Sequence, residues 1–163
     1  MNTAIAFQDQ LQHNHCFGCG AHNAGGLRIK SHWSDENASG ESEAICRFTP
    51  QPHHCSGPTR YVNGGIVSTI IDCHCVCTAM AKAYAMAGRA IGTGDEMMFV
   101  TGRLEVNYKK PVPMEREILV KATITEIGAR KMVVLCDVWS GADLCVEGRV
   151  IAVNVGNAWS ESC

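Results

Sequence analysis

Between residues 64 and 87 the chain reads GGIVSTIIDCHCVCTAMAKAYAMA, where the only formally charged residues are Asp72 and Lys82 and the other titratable group is His74. This is helix length. Ile66, Ile70, Ile71, Val76, Met80, Ala83 and Tyr84 put apolar groups on nearly every side, and a helix apolar all round belongs inside a protein. The glycine pair, Asp72, His74 and Lys82 fit a buried helix better than a membrane span. Asp72 should therefore lose most of its water. An isolated buried carboxylate is paired, takes up a proton or serves chemistry.

The flanking pattern has period two. Residues 27–33, LRIKSHW, alternate apolar and polar positions, and residues 41–48, ESEAICRF, follow a DENASG turn as a hairpin should. TPQPHHCSGPTR, with three prolines, is a loop into the helix, and residues 88–96 carry three glycines in the return connection. Four long Val- and Ile-rich strands are predicted over 97–108, 117–127, 130–140 and 143–155. Their connections KPVPME, GA and GA suit antiparallel neighbours. Two strands, one long helix and four strands predict an α+β fold, a curved antiparallel sheet wrapped around the helix.

Composition narrows the class. The 163 residues suit one domain with a sizeable core. Charged residues at 18% and a net charge of -2 lack the basic stripe of a nucleic-acid binder. The expected layout is a Cys- and His-containing segment over 1–26 packed on a domain at 27–157, then a tail at 158–163. The start, MNTAIAFQDQLQHNH, lacks a signal-peptide pattern, so the ten cysteines are expected to be reduced in a cytoplasmic protein.

In HNHCFGCGAHN, Cys16 and Cys19 have metal-knuckle spacing, with His13, His15 and His22 nearby. A zinc site usually adds a second Cys pair, and no second C-x-x-C follows, although His53, His54 and Cys55 could supply ligands from afar. The expectation is a turn packed by Phe17, with no stoichiometric zinc and no response to chelation. Cys73, Cys75 and Cys77 read as small core side chains.

The glycines before the helix sharpen the reading of Asp72. Gly64 and Gly65 let backbone approach a ligand closely, and free N–H groups at a helix start suit a polarised oxygen. Asp72 lies seven residues beyond Gly65, a helical rise of ~10 Å. Either a long substrate spans that gap, or the acid of one subunit serves the glycine turn of another. His74 points ~200° round the helix from Asp72 and reads as a packed core histidine. Ser68 lacks a nucleophile elbow.

NGGIVSTIID, followed by VTGRLEVNYKKPVP, resembles the hotdog-fold acyl-CoA thioesterases of the phenylacetate-type and thioesterase-superfamily-member group. CFGCG with GLRIKSHW resembles the N-terminal segment of a bacterial subset, and the likeness spans roughly residues 13–155. Its most specific parts are the double glycine with an acid at this spacing and the Tyr-x-x-Pro after the next strand. The resemblance implies that Asp72 activates water or attacks the thioester carbonyl itself, and that an N–H of Gly64 or Gly65 polarises that carbonyl. Asn63 stands where many relatives have a His that orients the thioester. Thr101 falls where relatives place a Ser or Thr that positions the water. In the family these groups meet across a dimer interface.

The expected function is hydrolysis of an acyl-CoA to free acid and CoA, with catalytic residues Asp72, Gly64, Gly65, Thr101 and Asn63. No cofactor or metal is expected. The acyl chain should lie beside the helix near Met80, Met97 or Met98, in a homodimer or a tetramer of two dimers, with neither nucleic acid nor membrane as partner. The alternatives are a hotdog enoyl-CoA hydratase or dehydratase, which needs a histidine paired with the acid, and a non-catalytic acyl-CoA sensor.

Overall fold

A computed structural model describes residues 5–35 and 42–156. Within them, strands β1 (Ser31–Trp33) and β2 (Glu43–Phe48) precede helix α1 (Gly64–Met86). Four strands follow: β3 (Phe99–Tyr108), β4 (Ile118–Ile127), β5 (Lys131–Ser140) and β6 (Asp143–Asn154). They form one antiparallel sheet in the order β1-β2-β4-β5-β6-β3. This is the hotdog arrangement, with α1 packed on the sheet. The DENASG turn lies mostly outside the described residues and the 158–163 tail wholly so. The strands flanking that turn do pair, with Ser31 opposite Cys46 and Trp33 opposite Ala44.

The helix is the centre because its apolar faces find partners. Val67, Ile70, Ile71 and Cys75 are buried, as are Val120, Val134, Val138, Val146 and Val150 from the sheet. Burial of each such aliphatic side chain stabilises by roughly 1.5–3 kcal/mol. His74 is fully buried within this core. Its Nε2 faces the Ala44 carbonyl at 3.2 Å, and Nδ1 lies 2.8 Å from Ser31 Oγ. A carbonyl can only accept, so Nε2 carries the proton and Nδ1 accepts from Ser31. Ser31 Oγ in turn accepts from Gln8 Nε2 at 2.7 Å, and Gln8 Oε1 accepts the Ser31 N–H at 2.8 Å. A closed polar chain thus ties the N-terminal segment to the helix and to β2.

Three local expectations are corrected. Residues 27–30 are not strand: the Leu27 and Ile29 amides bond the carbonyls of Phe17 and Gly18, and Arg28 has a positive φ of 53°. The KPVPME connection does not join neighbours. It leaves edge strand β3 and passes the chain entering α1, where Val62 N–H bonds Val112 O and Met114 N–H bonds Arg60 O, before starting β4 inside the sheet. Phe17 does not pack the N-terminal turn, being 49% exposed; the side chain buried there is that of Cys19, between the buried Gly18 and Gly20.

Candidate active site

The start of α1 is organised by Asn63. Its Oδ1 accepts the Gly65 N–H at 2.8 Å and the Ile66 N–H at 3.2 Å, a helix N-cap. Asn63 is therefore committed to the backbone, and the Gly65 N–H is used within the chain. The exposed Gly64 N–H has no acceptor among the described residues. Tyr108, from the end of β3, donates its hydroxyl proton to the Gly64 carbonyl. Ser68 lies 2.7 Å from the same phenolic oxygen, so Ser68 is the donor in that pair. Tyr108 thereby fixes the peptide that follows Gly64. The sequence offered only its place in Tyr-x-x-Pro as a signal.

Two turns further along, Asp72 is half-buried and accepts a hydrogen bond from the Thr101 hydroxyl. Thr101 arrives there from β3 because the β3–β6 register shifts between Thr101 and Arg103, leaving Gly102 as the extra residue of a bulge. A Cβ on Gly102 would lie 2.8 Å from a Val153 methyl, so the bulge needs glycine. Burial pushes the Asp72 carboxyl above the ordinary carboxylate range; the Thr101 hydrogen bond works in the opposite direction.

Asp72 and Thr101 open onto a cavity of about 610 Å³ whose walls include Val76, Met80, Met97 and Met98, with His13, His15, Cys16 and Cys19 on the N-terminal side. Apolar walls with a few polar groups at one point are typical of small-molecule sites. His53 and His54 line a separate cleft with Arg28 and Arg47, away from Asp72. His74 is committed to Ser31 and Ala44. Asp72's hydrogen-bond partner among the described residues is Thr101, with no histidine in that role.

The fold and the sequence have counterparts among known proteins. The model of the thioesterase superfamily matches residues 60–147, more than half of the chain. The chain belongs to the thioesterase superfamily. A thioesterase superfamily protein from Shewanella loihica PV-4 is 31% identical, with 88% of this chain and 96% of that one covered and a TM-score of 0.60. The Escherichia coli PaaI protein from the phenylacetic acid degradation operon shares the fold at 13% identity and a TM-score of 0.62, covering 80% of this chain and 81% of that one. Acyl-coenzyme A thioesterase THEM4 of Xenopus laevis is 27% identical over 113 residues, 69% of this chain. That match spans 45% of the THEM4 length, so the chain corresponds to less than half of this relative. The thioesterase-superfamily match includes Asn63, Gly64, Gly65, Asp72, Thr101 and Tyr108 but not Cys16 or Cys19.

Proposed function

We propose that this thioesterase-superfamily chain hydrolyses an acyl-CoA thioester, with Asp72 as general base or nucleophile and Thr101 positioning the attacking water. The observation that carries the reading is the Thr101–Asp72 pair in the wall of the methionine-lined cavity. A carboxyl raised toward the working pH suits a general base. The acyl chain lies along Val76, Met80, Met97 and Met98, and the nucleotide stays at the surface. The Gly64 N–H receives the carbonyl oxygen, because the neighbouring Gly65 N–H is already occupied. Gly64 precedes Asp72 by eight residues, ~12 Å along one helix. The pair that acts on one thioester therefore comes from two copies: Gly64 from one protomer and Asp72 from its partner. Asn63 acts indirectly, by shaping the helix start. No cofactor takes part in this scheme.

The test is a panel of acyl-CoAs with a thiol reagent. Release of free CoA, reduced about a hundredfold or more in Asp72→Asn, is the expected result. Full turnover in a folded Asp72→Asn protein would refute the assignment. Hydration of an enoyl thioester, or binding without turnover, would replace hydrolysis by a hydratase or a sensor.

A further inference from the structure

Four of the ten cysteines converge where the N-terminal loop meets α1. The sulfurs of Cys16, Cys19 and Cys73 all lie within 4.8 Å of one another. Cys16 Sγ is 3.6 Å from Cys73 Sγ, and Cys77 Sγ is 3.9 Å from Cys19 Sγ. Two come from a C-x-x-C knuckle, and two lie four residues apart on the helix, on one face of successive turns. The helical pair is the second pair that a search for another C-x-x-C overlooks. We propose that Cys16, Cys19, Cys73 and Cys77 form a closed four-thiolate site for a zinc ion.

The geometry fits that ion. Zinc binds thiolate at about 2.3 Å in a tetrahedron, which sets the sulfur–sulfur edge at about 3.8 Å; the Cys16–Cys73 and Cys19–Cys77 separations straddle that value, and Cys77 joins the close trio of Cys16, Cys19 and Cys73 through Cys19. The loop is shaped to bring its pair onto the helix. A Cβ on Gly18 would lie 2.3 Å from Cys73 Sγ and 2.9 Å from a Thr69 methyl, so only glycine permits this approach. The Gly20 N–H closes the knuckle on the Cys16 carbonyl at 2.8 Å. Asn14 orients both loop cysteines, its Oδ1 accepting the Cys16 N–H at 3.1 Å and its Nδ2 lying 3.6 Å from Cys19 Sγ. Cys16 is exposed, which gives an ion a way in, while Cys19, Cys73 and Cys77 are buried.

Four thiolates leave no open coordination position, so the ion clamps rather than catalyses. It pins the loop onto α1 beside Asp72 and completes one wall of the cavity. The site stands on these sulfurs alone, whether or not Asp72 hydrolyses thioesters.

The test uses untagged protein purified with reductant from zinc-supplemented culture. One zinc per chain by elemental analysis is expected. Cobalt exchange should produce thiolate charge-transfer absorption and the visible bands of a tetrahedral ion. Chelation should lower the melting temperature. Cys73→Ser/Cys77→Ser should lose the metal, and so should Gly18→Val, which keeps every cysteine but separates the loop from the helix; circular dichroism checks that both fold. The proposal fails if wild-type protein holds only substoichiometric zinc and yields no tetrahedral cobalt spectrum. It also fails if the double variant keeps a full complement, or if Cys16 and Cys73 are recovered as a disulfide in place of bound metal.

Discussion

At the scale of single residues, two side chains allow sharp tests. The Thr101 hydroxyl donates to Asp72 and has no other hydrogen-bond partner among the described residues. Thr101→Val removes the donor and is expected to lower thioester turnover roughly tenfold, equivalent to about 1.4 kcal/mol in the barrier. Thr101→Ser keeps the hydroxyl and should restore most of it; equal losses in both variants would mean that the methyl, not the hydroxyl, matters. His74 concerns stability. Burial lowers its pKa to about 4 from an ordinary 6.5, so between these values the unfolded chain binds a proton that the folded chain refuses. Its contribution is complete above pH 6.5 and is lost as pH falls toward 4, by roughly 3 kcal/mol in all. Urea unfolding at pH 7 and pH 5 should show a larger loss for wild type than for His74→Gln. Identical losses would show that His74 is not the titrating group.

At the scale of elements, the start of α1 depends on its cap. The helix opens with two glycines, poor helix formers, and the N–H groups of Gly65 and Ile66 are held by Asn63 Oδ1. Asn63→Ala should destabilise by about 1 kcal/mol, which lowers the melting temperature by roughly 2–4 °C in a protein of this size. Asn63→Asp, which preserves the acceptor, should recover the loss in a thermal melt. An unchanged melting temperature in Asn63→Ala would remove Asn63 from the architecture of the site. The β3 bulge is the other local device, because it aims Thr101 from a strand otherwise in regular register with β6.

At the scale of the whole molecule, β3 ends the sheet, and among the described residues no strand pairs with the other side of its ten residues. Its Leu104 and Tyr108 are 37% and 48% exposed, and exposed edges of this length are usually paired or covered. The protein is expected to sediment as a dimer, with the β3 edge in the interface, or as a tetramer of two such dimers. A charge on that edge, as in Leu104→Lys, should shift the equilibrium toward monomer and reduce turnover together with it. A wild-type monomer at micromolar concentration that still hydrolysed thioesters would break the link between assembly and the paired Gly64 and Asp72.

The sequence by itself determined whatever depends on near neighbours. The apolar run of α1, the period-two strands, the lone acid in the helix and the glycine pair before it are all short-range patterns. Hydrophobic periodicity responds to which face will be buried, without needing to know by what. Strand order did not follow from short connections, because KPVPME bonds to the chain entering α1 and carries β3 to the sheet edge. Only the tertiary structure decided the contacts between remote positions. Thr101 reaches Asp72 across 29 residues through a bulge, and Cys16 reaches Cys73 across 57 because Gly18 lets the loop touch the helix. Such meetings depend on how whole elements pack, which no local periodicity records.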